Sequence, residues 1–329
     1  MTSPRSAARA GLAAGIGAAL TLGASVAVTG RARAREAAAR AAFPPEGEIL
    51  DIGGIPVHAV VRGQGPDLVM LHGASGNSRD FTFDLMGRLS DRFRCIAFDR
   101  PGLGHTGRVR DRYDAAFSSD AETPAEQATL LARAARHLGA DRPLVLGHSF
   151  GGTIALAWAL DHPARALVLL AAASNRWEGG LGPLYAINSS ALGGALAVPL
   201  LTASVPLGHL RRITARIFAP NPVPAGYHDH VGAALTLRRR SLRANSRQMN
   251  SLKPFIVEME ARYADLDLPI EWIHGTADTI VPIHVHAERF RTLVPHTNLT
   301  RLPGIGHMPH HADPDATVAA VLRAHAAAG

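Results

Sequence analysis

The feature that most constrains the fold is an apolar run that leads directly into a serine flanked by glycines. The strand-like run Pro143 to Leu146 continues as Gly147-His148-Ser149-Phe150-Gly151. In a G-x-S-x-G sequence of this kind, the serine sits on a sharp turn between a strand and a helix, where an imidazole can reach its hydroxyl. Glycine on both sides permits the turn because it has no Cβ to obstruct close strand-to-helix packing. The pattern predicts that Ser149 is a nucleophile.

Two later strand-like runs end at groups that could activate this serine. Ile270 to Gly275 leads to Asp278, and Leu299 to Leu302 leads to His307 in a loop bounded by glycines. A serine hydroxyl needs a base to accept its proton, and the base needs a group that orients it. We therefore expect His307 to be the base and Asp278 to orient it.

The chain order serine, acid, histidine is accompanied by two glycine-containing turns. One is Leu71-His72-Gly73, which ends an apolar run, and the other is Asp99-Arg100-Pro101-Gly102-Leu103-Gly104. With these motifs the chain resembles the α/β-hydrolase fold family, of the serine hydrolase type, from about Gly47 to its carboxyl terminus. The resemblance implies an oxyanion hole formed by the backbone amides of Ala74 and Phe150. It also implies that Asp278 and His307 complete the triad and that no cofactor is needed. The same resemblance treats the turn that begins at Asp99 as scaffold, and His72 is likewise expected to be scaffold rather than a base.

Strands alternate with helices after residue 47, which predicts an α/β fold with a mostly parallel central sheet flanked by helices. An antiparallel hairpin, Glu48 to Ile52 and Ile55 to Arg62, precedes this pattern. Residues 175–265 break the alternation and predict a helical cap inserted after the sixth strand, with helices around Leu207 to Phe218 and Ala233 to Ser246. The expected units are 1–46 as an amino-terminal segment and linker, 47–174 with 266–329 as the core, and 175–265 as the cap. The linker is expected to be a short helix, Glu36 to Ala42, that is broken by Pro44-Pro45.

The cap contains two groups of candidate binding residues. One group is apolar and is expected either to line an acyl-binding surface or to form ordinary cap core: Leu184, Leu192, Leu200, Leu201, Leu207 and Ile217. The other is a basic stripe, for which a solvated helix face is favoured over contact with an anionic substrate or lipid: Arg238, Arg239, Arg240, Arg243 and Arg247.

The amino-terminal segment contains an uncharged apolar run from Gly11 to Gly30, about the ~20 residues that a spanning helix requires. Arginines are more numerous after this run than before it. This flank favours a membrane anchor with the enzyme domain on the cytoplasmic side over a cleaved signal peptide, which would export the protein.

Charge and metal-binding patterns exclude other classes. The formal net charge is +7, but the basic residues are almost all arginine and no nucleic-acid-binding motif is visible, so no nucleic-acid partner is expected. His284-Val285-His286 and His310-His311 lack an accompanying HExxH motif or cysteine pair, so no metal is expected either. The single cysteine, Cys95, is expected to be a buried core residue.

These features together predict hydrolysis of a carboxylic ester of a small, apolar acyl substrate through an acyl-enzyme intermediate. The same triad also serves C–C bond hydrolases, lactonases, thioesterases and acyltransferases, which stay open as alternatives. Haloalkane dehalogenases and epoxide hydrolases resemble the chain in layout but use aspartate at the position of Ser149. From a different class, a catalytically silent module that binds a ligand or partner is the remaining alternative.

Overall fold

The structure is a computed structural model that describes residues 4–115 and 117–329, with the side chains of residues 22–115 and 117–329. Its centre is a sheet of eight strands in the spatial order β1-β2-β4-β3-β5-β6-β7-β8. The strands are β1 (Glu48–Asp51), β2 (Pro56–Arg62), β3 (Asp67–Leu71), β4 (Arg94–Phe98), β5 (Leu144–His148), β6 (Ala166–Leu170), β7 (Ile270–Gly275) and β8 (Asn298–Leu302).

The sheet is antiparallel at one edge and parallel elsewhere. β1 pairs with β2 and β2 with β4 in antiparallel fashion, whereas every pair from β4 to β8 is parallel. β5 and β6 are buried at every position, as expected for continuously apolar strands that helices cover on both faces. The predicted hairpin and the predicted mostly parallel sheet are confirmed.

Helices cover both faces of the sheet, and the alternation of side chains along β3 shows the two layers. The helices of the core are α2 (Arg79–Thr82), α3 (Leu85–Leu89), α4 (Pro124–His137), α5 (Phe150–Asp161), α12 (Ala287–Leu293), α13 (Pro309–Ala312) and α14 (Pro314–Ala327). Val69 and Leu71 pack on the side of α4 and α5, while Leu68 and Met70 pack on the side of α3 and α14. Cys95 is buried in β4, as predicted.

The fully described stretch between β6 and β7 contains helices and no strand. These helices are α6 (Pro183–Ser189), α7 (Ala191–Ser204), α8 (Leu207–Phe218), α9 (Tyr227–His230), α10 (Arg239–Asn250) and α11 (Leu252–Glu260), with 3-10 turns at Ala233–Leu235 and Tyr263–Asp265. The cap follows the sixth strand, as predicted, and α8 has the predicted bounds. The division into core and cap as separate units stays a prediction.

One predicted cap helix, Ala233 to Ser246, is wrong in its first third. The structure has a 3-10 turn there, and α10 begins only at Arg239. Tertiary hydrogen bonds explain the difference, because the Thr236 hydroxyl donates to the Ser75 carbonyl and the Leu237 carbonyl accepts from Thr202. These bonds hold the backbone in a turn that local helical propensity does not favour.

The chain before the core forms one helix, α1 (Pro4–Ala42), which ends before Pro44-Pro45 as the sequence predicts. The first eleven residues of the expected anchor, 11–21, lie outside the residues whose side chains the structure describes. Among the described residues, no single helix has both the length and the apolar composition to cross a membrane, whereas the bent pair α6 and α7 together meets that test.

The second half of α1 packs against the cap, so the segment expected to be a linker is a packed element. The Arg31 side chain donates to the Ala203 carbonyl at 2.8 Å, at the carboxyl end of α7. Glu36 is 9% exposed and forms an ion pair with Arg239 at 2.8 Å. A cationic side chain at the carboxyl end of a helix is favoured by the helix dipole.

Candidate active site

Ser149 lies on the turn between β5 and α5, at the carboxyl edge of the sheet. Its backbone has φ 53° and ψ −118°, a conformation that is strained for a residue with a side chain. A Cβ at Gly147 would collide with the Gly151 carbonyl, and one at Gly151 would collide with the Leu71 carbonyl. Glycine is therefore required on both sides of the serine. The Ser149 amide donates to the Leu170 carbonyl at 2.9 Å, which fixes the turn to the neighbouring strand.

The three predicted triad residues are brought together. His307 Nε2 lies 3.0 Å from Ser149 Oγ, and His307 Nδ1 lies 2.8 Å from Asp278 Oδ2. The other Asp278 oxygen accepts backbone hydrogen bonds from Ile280 and Val281 at 2.8 and 2.9 Å. Because a carboxylate can only accept, the proton of the neutral imidazole lies on Nδ1 and the bare Nε2 faces the serine hydroxyl.

The Asp278 carboxylate is ionised despite its burial. Burial alone would raise the pKa, but hydrogen bonds from His274 and His307 and the backbone N–H of Val281 together hold the pKa of Asp278 well below its usual range. His274 Nδ1 accepts from the Trp272 indole N–H at 3.1 Å, so its proton lies on Nε2. That Nε2 donates to the Val281 carbonyl at 2.7 Å and lies 3.4 Å from Asp278 Oδ2.

The amides expected to form the oxyanion hole lie on two segments beside Ser149. Among the described residues, neither the Ala74 nor the Phe150 backbone N–H has a hydrogen-bond partner. The two segments are close, since a Cβ at Gly73 would come within 3.2 Å of the Ser149 Cβ. Two unpaired N–H donors next to a nucleophile form an arrangement that can bind a developing oxyanion.

The loop that carries Ala74 is held in place from the cap. Ser75 has φ 58°, in the left-handed region. Asn245 of α10 accepts from the Ser75 amide at 2.7 Å and donates to the Ser75 hydroxyl at 2.9 Å, while Thr236 donates to the Ser75 carbonyl at 2.6 Å. The cap therefore stabilises the strained loop. Sequence reasoning missed Asn245 and Thr236, because nothing in the sequence connects them to a loop about 160 residues earlier.

Arg100 contacts both of the segments that carry the amides expected to form the oxyanion hole. It is fully buried, donates to the Gly73 carbonyl at 3.2 Å, and its guanidinium lies 4.3 Å from the centre of the Phe150 ring. Burial lowers the pKa of Arg100 to about 9, although the nearby Glu122 carboxylate opposes this shift. The turn that contains Arg100, which is expected to be scaffold, thus supports the segments of both Ala74 and Phe150.

Two further predicted scaffold residues have that role. His72 Nδ1 donates to the Gly73 carbonyl at 2.8 Å, and its Nε2 accepts from the Arg100 amide at 2.9 Å. Asp99 accepts from the amides of Ser78 and His105, both at 2.7 Å, and from Nδ1 of His58 in β2, also at 2.7 Å. None of these partners belongs to the predicted triad, so His72 and Asp99 hold the surrounding backbone rather than reacting groups.

A buried polar cluster around Asp80 lies behind His307. Asp80 accepts from the Tyr227 hydroxyl at 2.8 Å, from His311 at 2.9 Å and from His310 at 3.1 Å. Burial alone would raise the pKa of Asp80, but the histidines hold it well below its usual range. Asp80, His148 and His310 are the one group of described residues close enough to share a metal ion. These hydrogen bonds satisfy the Asp80 carboxylate, whereas the buried His310 Nδ1 has no partner among the described residues.

His148 connects this cluster to His307. Its Nε2 donates to the His307 backbone carbonyl at 2.9 Å, and its Nδ1 lies 4.0 Å from Asp80. Burial holds the pKa of His148 well below its usual range, which keeps the ring neutral. The His307 loop is thereby fixed from behind. His148 belongs to the predicted motif around Ser149, but only the structure shows that it contacts the His307 loop.

Both groups of cap candidates differ from expectation. The arginine stripe is not a solvated face, because Arg247 is 1% exposed and donates to the Tyr113 carbonyl, and Arg239 pairs with Glu36. These arginines hold the cap against the core and against α1. Most of the apolar candidates face outwards rather than towards Ser149 or the cap core. Those with exposures above half are Leu184, Leu192, Leu200 and Leu207.

The site itself is nearly closed, with Ser149 8%, Asp278 6% and His307 4% exposed. A groove of about 220 Å³ lies between α1 and the cap, and none of the three residues lines it. The hydrogen-bonded triad, rather than cavity size, therefore locates the candidate site.

Comparison with known proteins places this geometry among related chains. The model of the Alpha/beta hydrolase family matches residues 68–321. The magnesium-chelatase 30 kDa subunit of Rhodobacter capsulatus is 29% identical, over 78% of this chain and 86% of that protein. Haloalkane dehalogenase 2 of Mycobacterium tuberculosis is 25% identical, over 85% of this chain and 95% of that protein.

Solved structures agree with the fold. The esterase RhEst1 from Rhodococcus sp. ECU1013 superposes with a TM-score of 0.65 and 22% identity, covering 86% of this chain and 98% of that one. The expected α/β-hydrolase fold is thus confirmed, and the named hydrolases among the relatives support a hydrolase.

Proposed function

The chain belongs to the alpha/beta hydrolase family, and from this premise we propose that it is a serine hydrolase that cleaves a carboxylic ester. The observation that carries the proposal is the hydrogen-bonded series from Ser149 through His307 to an ionised, buried Asp278. Each member has the tautomer or charge that proton transfer from a serine requires. The substrate is a small acyl compound with an apolar acyl group.

In the proposed reaction, Ser149 Oγ attacks the ester carbonyl while His307 Nε2 accepts the hydroxyl proton. Asp278 holds the imidazole and stabilises its charged form. The amides of Ala74 and Phe150 bind the tetrahedral oxyanion, and one such donor typically contributes ~3 kcal/mol to transition-state stabilisation. His307 then protonates the leaving alcohol, which gives an acyl-enzyme that water hydrolyses with His307 again as the base. No step draws on a cofactor.

Serine at position 149 also separates the proposal from one relative. Haloalkane dehalogenases are expected to carry aspartate at the elbow, where this chain has Ser149. C–C bond cleavage, lactone or thioester hydrolysis and acyl transfer use the same triad and differ in the substrate that fits. These reactions, and a catalytically silent binding module, are outcomes that the experiment below separates from ester hydrolysis.

We also propose that the apolar run in α1 attaches the enzyme to a membrane, with the enzyme domain on the cytoplasmic side. The length of the uncharged run and the arginines after it support this proposal. Export after signal-peptide cleavage is the alternative, and amino-terminal sequencing of the protein from its native cells distinguishes the two.

The test uses the full chain in mild detergent with a fluorophosphonate probe and p-nitrophenyl esters of increasing acyl length. We expect labelling and turnover in the wild type, and losses of several orders of magnitude in Ser149→Ala and His307→Ala, because triad members act as one unit. Ser119→Ala and His284→Ala are matched controls, since both residues are exposed. A folded wild type that labels but hydrolyses no ester favours the alternative reactions, and one that does not label favours the silent module.

A further inference from the structure

Helix α7 is apolar on all sides, although one side faces away from the protein. Gly194, Val198 and Thr202 form its buried side. The opposite side carries Leu192, Leu196 and Leu200 at a spacing of four residues, with 68%, 68% and 52% of their surfaces exposed. A helix that is hydrophobic all round normally lies in a protein core or in lipid. The outer side of α7 has no such surroundings within the described chain.

The apolar surface continues onto the neighbouring cap helices. Leu184 and Ile187 of α6 are 60% and 49% exposed, and Leu207 of α8 is 56% exposed. From residue 179 to residue 210 the sequence contains no Asp, Glu, Lys or Arg. We call these side chains the leucine face: Leu184, Ile187, Leu192, Leu196, Leu200 and Leu207. Exposed apolar surface of this extent marks an interaction site on a protein.

Exposed basic residues lie on α8, the helix that carries Leu207, and on α1, which packs against α7. Arg211, Arg212 and Arg216 are exposed on α8, and Arg211 pairs with Asp229. Arg31 and Arg33 are exposed on α1, where it meets the carboxyl end of α7. An apolar surface accompanied by arginines on these helices matches a bilayer that contains anionic lipids, because the acyl region accepts the leucines and the headgroups attract the arginines. A second copy of the chain fits less well, since a twofold contact through this face would bring like charges together.

We propose that the leucine face docks on an anionic lipid bilayer, with α6 and α7 lying in its interface. The bend of 106° between these helices suits two short segments that lie on a surface better than one that spans it. The exposed apolar residues Leu22 and Val26 of α1 extend the same apolar character towards the amino terminus. Docking therefore adds a second lipid contact, on the cap itself, to the proposed attachment through α1.

The docked face lies next to the candidate site. Helix α6 presents Leu184 and Ile187 outwards, while its Tyr185 is partly buried and interacts with Asn245 and Ser75, the clamp of the oxyanion loop. The bilayer would thus contact the outer side of α6, whose inner side covers the loop of Ser75. This juxtaposition, which rests on the proposed ester hydrolysis, assigns acyl esters dissolved in a membrane as the substrate class.

The test measures docking directly in the full chain, without turnover. Leu196→Cys introduces one accessible thiol, because the native Cys95 is buried. The thiol is labelled with an NBD fluorophore and the protein is mixed with vesicles of phosphatidylcholine and phosphatidylglycerol. Asp141→Cys is the matched control, since Asp141 is exposed near the amino end of β5, opposite the site. We expect a blue shift and quenching by doxyl-labelled lipid at position 196 but not at position 141.

Two other outcomes would overturn the proposal, and one control separates docking from catalysis. If the protein floats with vesicles while the label at position 196 stays in a polar environment, attachment uses α1 alone. If the blue shift depends on protein concentration and precedes the addition of vesicles, a second copy occupies the face. The same label in a Ser149→Ala background separates docking from catalysis, because loss of turnover there leaves the lipid quenching intact.

A second variant tests the substrate class. Replacing Leu192, Leu196 and Leu200 with glutamine removes the outward side of α7 without touching its buried side. Hydrolysis of an ester embedded in vesicles is expected to fall at least about tenfold, while hydrolysis of a soluble p-nitrophenyl ester is unchanged. If the variant retains the parent protein's activity on the vesicle-embedded ester, or loses activity on both esters to the same extent, the role of the leucine face is refuted. If the parent protein hydrolyses neither ester, the proposed function has failed, while the lipid-quenching result still decides docking.

Discussion

Replacing Asp278 with asparagine tests the proposed proton path, because the structure determines how the new amide must be oriented. One carboxylate oxygen accepts from two backbone N–H groups, those of Ile280 and Val281. An asparagine keeps these bonds only if its carbonyl oxygen takes that position. The flipped amide would instead direct its N–H₂ group at two N–H donors and would leave both unpaired, at about 1–3 kcal/mol each.

The favoured orientation directs the N–H₂ group of the introduced amide at His307 Nδ1, which in the native protein lies 2.8 Å from an acceptor oxygen. The imidazole must then place its proton on Nε2, facing Ser149 Oγ. In this tautomer Nε2 cannot accept the serine proton. We expect kcat for a p-nitrophenyl ester to fall by about 10³- to 10⁴-fold, equivalent to about 4–5.5 kcal/mol of activation free energy.

The assay is steady-state hydrolysis together with the rate of fluorophosphonate labelling, and circular dichroism confirms that each variant is folded. Asp278→Ala is the comparison, because it removes the negative charge but leaves the tautomer of His307 free. The asparagine variant should therefore be no more active than the alanine variant. A folded asparagine variant with a tenth of the wild-type kcat, or one clearly more active than Asp278→Ala, would refute this account of Asp278.

Three other predictions concern the supports of the site. Gly151→Ala places a Cβ against a carbonyl of β3 and should destabilise the fold by about 3 kcal/mol or more, whereas Gly87→Ala, with nothing within 4 Å, should be close to neutral in urea unfolding. Asn245→Ala releases the strained Ser75 loop, and kcat should fall about tenfold with little change in KM; an unchanged kcat would contradict the clamp. Burial lowers the pKa of His72 to about 4 from 6.5, so the unfolded chain takes up this proton first as the pH falls. Through His72, the free energy of unfolding should fall by about 2 kcal/mol between pH 7 and pH 5. An unfolding midpoint that does not change over this pH range would contradict the prediction.

The local motifs were sufficient to select the three residues of the candidate triad, because each follows a strand of its own. Ser149, Asp278 and His307 follow β5, β7 and β8, and the carboxyl ends of parallel strands meet at one edge of a sheet. Apolar runs bounded by glycines are sufficient to find such strands. The order and spacing of the motifs could therefore be interpreted before any contact was known.

The supports of these groups were not predictable in the same way. The clamp from Asn245 to Ser75 and the contact from His148 to the His307 carbonyl depend on long-range packing, which has no periodicity in the sequence. The cap leucines show a related limit. An apolar helix has the same sequence pattern whether its outer side meets protein or lipid, so only the structure reveals that α7 leaves one side exposed.

The contacts of the cap imply that it is a component of the proposed site rather than a separate lid. Lifting it away would break the bonds from Asn245 and Thr236 to Ser75, and the loop would then relax from its left-handed conformation. The Ala74 amide would move with the loop, and the oxyanion hole would lose one of its two donors. Arg247 adds a buried hydrogen bond from the cap to the Tyr113 carbonyl. Entry of substrate is therefore compatible with catalysis only if α10 stays in place over the Ser75 loop.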